Sequence, residues 1–97
     1  MQASLTNPAV VEKNLIASME FPSSEVLTSA EAIAGRRAAA EKAMLLGNNY
    51  KGKVKIIFED AQGSKQVETT IWAVTEHFIL LKTGMSIPLR RILEIRI

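Results

Sequence analysis

The chain of 97 residues contains no cysteine. Disulfides, thiolate nucleophiles and cysteine-bound metals are therefore excluded, and a reducing compartment is permitted. Histidine is nearly absent as well: His77 stands alone, with Glu76 beside it but no serine or second acid in a triad-like arrangement. A lone loop histidine reads as a solvated turn residue, and as a general base only if a partner arrives from elsewhere in the fold. Glu59-Asp60 reads as a strand end and turn, since two acids without histidines make a poor metal site. The five glycines fall at turns or inside a helix and form no phosphate-cradling pattern. No stretch approaches the ~20 uninterrupted apolar residues of a membrane span. The N-terminus lacks the basic start of a signal peptide and carries Glu12-Lys13 where one would be apolar. The expectation is a cytoplasmic, non-enzymatic protein with no membrane segment, no cofactor and no metal ion.

Hydrophobic residues make up 47% of the chain and mean hydropathy is positive, which excludes global disorder. A chain of this size forms one domain that buries roughly 60–65% of its unfolded surface. The formal charge of +2 is unevenly placed. Residues 1–50 hold four Lys/Arg against five Glu, whereas residues 51–97 hold eight Lys/Arg against five acids. That mild basic bias is compatible with an anionic partner and demands none.

The first half has helical spacing. Pro8 suits a first helical position, Val11, Leu15, Ile16 and Met19 recur along one face, and Pro22 closes the segment, which predicts a helix over about 8–20. Thr28-Ser29-Ala30-Glu31 matches a capping box, and the alanine-rich run that follows predicts a second helix over about 29–46, with Gly47 as a left-handed stop. Its many alanines suit close packing, either on a sheet of the same chain or on an identical helix of a second copy.

After Gly52 the period changes to two. Val54, Ile56 and Phe58 alternate with Lys53, Lys55 and Glu59, and Asp60 to Gly63 has type I turn chemistry. A β-rich run, KQVETTIWAVT, follows. FILL, MSI and ILEIRI supply three further strands. Pro88 cannot donate to a ladder, so the fourth strand ends at a one-turn helix over Pro88-Leu89-Arg90-Arg91. Five short antiparallel strands with tight turns predict a small closed barrel, because closure removes exposed edges. The expected fold is α+β: an N-terminal helix and linker in residues 1–27, a helix in 28–47 and a five-stranded antiparallel β-barrel in 51–97. Val54, Ile56, Phe58, Val67, Ile71, Leu93 and Ile95 are its predicted core, with Ile97 continuing the inward alternation.

A helix followed by GKVKIIFEDAQG, a long second strand, FILL and MSIPLRRILEI resembles the plan of the Sm-like barrels, which build RNA-binding rings. The resemblance covers roughly residues 30–97 and is one of topology. It implies an RNA pocket at Thr75-Glu76-His77-Phe78 and Leu89-Arg90-Arg91. The asparagine expected in the first of these loops is absent, and the expected Arg-Gly pair in the second is Arg-Arg. The chain also resembles a small bacterial family that shares the TTIWAVTE and IPLRRI stretches, a resemblance that implies no activity.

Two sets of candidate site residues follow. Lys51, Lys53 and Lys55 project from one strand face, and with His77, Arg90 and Arg91 they are the candidate contacts for an anion or single-stranded nucleic acid. The alternative for the lysine stripe is a solvated outer face, and Tyr50 is its one well-placed aromatic for base stacking. The second set comes from strands with two apolar faces. Ile71 and Trp72 point to opposite sides, as do Phe78 and Ile79, leaving apolar surface that soluble monomers rarely expose. Trp72, Val74, Ile33, Met44, Val11 and Leu15 are the candidate contacts of a homo-oligomer, with a symmetric dimer as the expected state. The alternative is a monomer whose helices fold back over Trp72.

Overall fold

The structure, a computed structural model, describes residues 8–50, 52–82 and 84–97, with the backbone alone over 48–50. The strands are β1 (Ala9–Val10), β2 (Val54–Asp60), β3 (Gly63–Thr69), β4 (Ile71–Val74), β5 (Phe78–Leu81), β6 (Ser86–Pro88) and β7 (Ile92–Arg96), and the one α-helix is α1 (Ala30–Tyr50). Two 3-10 turns complete the order, the first at Lys13–Ser18 and the second at Leu89–Arg91.

The expected closed five-stranded barrel is not formed. The strands make two open sheets, a four-stranded one in the order β1-β3-β2-β7 and a three-stranded one in the order β4-β5-β6. The division falls at Thr70, inside what reads in sequence as one long strand. Before it, β3 pairs with β2 from Val54↔Thr69 to Asp60↔Gly63; after it, β4 pairs with β5 from Ile71↔Leu81 onward. Thr70 pins the crossing: its hydroxyl donates to the Gly52 carbonyl (3.2 Å) and its own carbonyl accepts from the Lys82 N–H (3.0 Å). Val67, Thr69 and Ile71 keep the two-residue spacing of the inward side straight through the change of sheet, and Thr70 between the last two is buried as well.

Packing across the two gaps replaces closure. Helix α1 lies against β4 and β7, which are edge strands of different sheets, while the first 3-10 turn lies against β3 and β6. Covering an edge with a helix or loop is one way a protein blunts it. Between the sheets lies a core of Val54, Ile56, Phe58, Val67, Ile71, Ile79, Leu81, Ile87, Ile92 and Ile95, to which Ile16 and Ala40 add from the covering elements.

Leu93 and Ile97 depart from their predicted places. A register shift at Ile57/Phe58 pairs Ile57 with Glu94 but Phe58 with Ile92, so Leu93 is the bulged residue and Ile92 takes its inward place. Leu93 is half-buried, and Ile97 lies beyond the ladder, exposed.

The first predicted helix is also absent. Ala9 and Val10 pair in parallel with Lys65 and Gln66, and the Val11 N–H donates to the Gln66 carbonyl (2.8 Å). A 13-residue helix is marginal by itself, and the free edge of β3 offers hydrogen bonds that compete with it. Only the 3-10 turn remains, burying Ile16.

Helix α1 forms as expected but differs at both ends. Its first turn is capped by Ser29, whose Oγ accepts from the Ala32 N–H (3.0 Å), and not by Thr28. Gly47 does not stop it, since the helix runs on to Tyr50. Arg36, Ala40, Ala43 and Gly47 are the buried stripe. A Cβ at Gly47 would stand 2.6 Å from Thr70 Cγ2 and 2.9 Å from the Ile71 carbonyl oxygen. The glycine there serves close approach of helix to strand.

Candidate functional site

Two places gather the residues that matter. The first is a cleft of about 240 Å³ between the start of α1, the β4–β5 turn and the second 3-10 turn. Its polar wall is a set of arginines on different elements. Arg36 is buried and grips Glu25 with two hydrogen bonds (2.6 and 2.7 Å), and its Nη1 also donates to the Ile92 carbonyl (3.2 Å). The Arg36 guanidinium holds the Glu25 carboxyl below its ordinary value, against the opposing effect of partial burial. Arg37 Nη2 donates to the Thr75 (3.0 Å) and Glu76 (2.7 Å) carbonyls, tying the β4–β5 turn to the helix. Thr75 builds that turn, since its Oγ1 accepts from the Phe78 N–H (3.0 Å). His77 and Arg90 face the same cleft, and Arg90 Nε donates to the Pro22 carbonyl (3.2 Å). Ile33 and Leu89 are its apolar lining.

Arg91, the neighbour of Arg90, is not part of this surface. It is 5% exposed. Its Nε donates to the Glu59 carbonyl (3.0 Å), Nη1 to the Ser24 carbonyl (2.9 Å) and Oγ (3.0 Å), and Nη2 lies 3.4 Å from Glu59 Oε1. A buried guanidinium needs its donors satisfied, and these partners knit residues 22–26 to β2. Arg91 is a brace. Lys53 and Lys55 are exposed on the outer side of β2, where Lys55 lies in register with Glu68 on one neighbour and Arg96 on the other. Lys51 lies outside the described residues, as does the Tyr50 side chain. Of the candidate anion contacts, the structure brings His77 and Arg90 together, adds Arg36 and Arg37 to them, and places Lys53, Lys55 and Arg91 elsewhere.

The second place is the side of the three-stranded sheet that faces away from the core. Trp72 (47% exposed) and Phe78 (42% exposed) lie on it, and Leu80 is half-buried. Register places Leu80 opposite Ala73, with Trp72 as the extra residue of a bulge between Ile71 and Ala73. The other candidate oligomer contacts are dispersed. Val74, Met44 and Val11 pack against the core, Ile33 lines the cleft, and Leu15 is exposed on the first 3-10 turn. Phe78 and Leu80 belong to this face and were legible as outward members of FILL only once the inward set, Ile79 and Leu81, was known.

Among the described residues no group of three or more His, Asp or Glu side chains is placed to hold a metal ion, and no helix is long and apolar enough to cross a membrane. His77 Nε2 has one acidic neighbour, Glu76 Oε1 at 3.9 Å. No protein-family model matches the chain, and no curated protein or solved structure matches it significantly.

Proposed function

We propose that this chain is a non-enzymatic interaction module that assembles with a second copy of itself through the outer face of the three-stranded sheet. One observation carries the reading: Trp72 and Phe78 are large apolar side chains left exposed on that face, with Leu80 half-buried beside them. Aromatic side chains dominate interface energetics when a partner removes them from water. A cytoplasmic location is part of the reading, since a cysteine-free chain needs no oxidising compartment. Light scattering on a size-exclusion column tests it. A mass of twice 10.7 kDa that falls on dilution supports it, and 10.7 kDa at every concentration removes it. Trp72 is the sole tryptophan, so association also shifts the intrinsic emission to shorter wavelength as concentration rises.

A second reading, single-stranded RNA held in the cleft, is favoured by the meeting of His77, Arg90 and Arg37 there. Phosphate contacts make such binding fall steeply with salt. Filter binding at low salt tests it, and binding that survives Arg90→Ala unchanged removes the cleft as its site.

A further inference from the structure

The cleft between α1, the β4–β5 turn and the second 3-10 turn is lined by three arginines, and they are not equally occupied. Arg36 gives both Nη atoms to Glu25 and one of them to the Ile92 carbonyl as well. Its Nε is closed to solvent and has no partner among the described residues, so Arg36 adds charge to the wall more than contact. Arg37 gives Nη2 to the Thr75 and Glu76 carbonyls and sets Nη1 3.7 Å from Glu41. Arg90 differs from both. Its Nε donates to the Pro22 carbonyl (3.2 Å), and its own carbonyl accepts from the Val26 N–H (2.9 Å). Nη1 and Nη2 of Arg90 have no hydrogen-bond or ion-pair partner among the described residues. A guanidinium can meet a carboxylate along two edges, Nε with one Nη or the two Nη atoms together. The bond to Pro22 takes the first edge and steadies the second.

Charge and size narrow the ligand. Glu25, Glu76 and His77 complete the polar lining, and Ile33 and Leu89 are its apolar part. Counting His77 as neutral, three arginines against two carboxylates leave one positive charge. That balance suits a monoanion better than a doubly charged phosphate. The cleft's volume of about 240 Å³ lies below the ~300 Å³ at which sites for drug-sized ligands begin. We propose that the cleft binds a small monocarboxylate with a short branched alkyl group, the carboxylate on the two Nη atoms of Arg90 and the alkyl group against Ile33 and Leu89. The ligand shares its cleft with the RNA reading above but depends neither on that reading nor on self-association. One anchoring pair in an open cleft gives a Kd of roughly millimolar order.

His77 is the sole histidine, so its ring-proton NMR signals report on this cleft without assignment of the rest of the chain. Titration with isovalerate at constant pH and ionic strength shifts those signals saturably. Isovaleramide, of the same shape without the charge, leaves them in place. Acetate binds roughly tenfold more weakly than isovalerate, because it lacks the buried alkyl group, and inorganic phosphate is also weaker. Arg90→Lys keeps the charge but loses the two-pronged edge, and it weakens isovalerate roughly tenfold. Ile33→Ser weakens isovalerate and leaves acetate unchanged. Arg90 is half-buried and Ile33 is 37% exposed, so both variants fold, which thermal melts verify. No saturable shift with isovalerate at tens of millimolar overturns the proposal. Tighter binding of phosphate or equal binding of the amide overturns the ligand class. Binding indifferent to Arg90→Lys overturns the anchoring residue, and acetate as tight as isovalerate overturns the apolar contact.

Discussion

On the four-stranded sheet the residues turned away from the core include Lys55, Glu68, Glu94 and Arg96, all exposed, with Arg96 Nε 3.1 Å from Glu94 Oε2. On the three-stranded sheet the corresponding residues are Trp72, Phe78 and Leu80. Both sheets contribute inward side chains to the same core, so their inner faces obey one rule and their outer faces obey two. An antiparallel sheet with one solvated face alternates apolar and polar residues, which is what β2 and β7 do except at Ile57 and Leu93, the first buried and the second half-buried beside the bulge. The β4–β5 hairpin departs from that rule at Trp72, Phe78 and Leu80. That departure is what the proposed self-association rests on.

The contrast can be broken most forcefully from inside. Ile56 on β2 and Ile79 on β5 are both fully buried, one from each sheet. Ile56→Ala and Ile79→Ala each destabilise by about 2–5 kcal/mol through lost transfer energy and an unfilled cavity. Similar losses in denaturant melts confirm a shared core; a much smaller loss for Ile79→Ala would mean that the three-stranded sheet packs loosely.

A smaller effect tests the bond that ties the N-terminal segment to α1. Glu25→Gln leaves the Arg36 guanidinium, 6% exposed, without its counter-charge. Breaking a fully buried pair costs about 3–5 kcal/mol, and the partial exposure of Glu25 reduces this to about 2 kcal/mol. The pH dependence has a definite sign. The carboxyl of Glu25 is lowered in the folded state, so its contribution is complete above the ordinary carboxylate range and is lost as pH falls through the depressed folded value. The stability gap between wild type and Glu25→Gln therefore narrows below about pH 4. A gap that stays constant down to pH 2 contradicts the charged pair.

The smallest effects on folding sharpen the comparison of outer faces. On the two outer faces, Lys55→Ser shifts monomer stability by only about 0.5 kcal/mol, as exposed substitutions do, and Phe78→Ser by about 1 kcal/mol, since part of its ring is already covered. On the proposed self-association their effects on mass differ: Phe78→Ser weakens the concentration-dependent dimer and Lys55→Ser leaves it intact. Equal behaviour of the two variants in light scattering would erase the distinction between the faces.

The local grammar of the chain was legible without the structure. Alanine-rich residues after Ser29 make a helix, Gly63 (φ 134°) closes the β2–β3 turn in a conformation few other residues adopt, and Pro88 ends β6 before a single 3-10 turn. Each follows from backbone sterics or side-chain hydrogen bonding within a few residues. Six of the seven predicted core residues, all but Leu93, are buried for the same reason, because alternation over a short strand survives any topology. Tertiary structure decided the rest. Whether residues 8–20 coil or pair depended on a free edge of β3 more than forty residues away. Whether the sheets closed depended on a crossing at Thr70, which leaves no trace in a two-residue period, and on a helix available to cover the gap. Arg90 and Arg91 are the same residue type in adjacent positions, and only the packing of residues 22–26 and Glu59 made one a surface cation and the other a buried brace. A side chain's chemistry is local, but its solvent exposure is set by whatever distant segment lies over it.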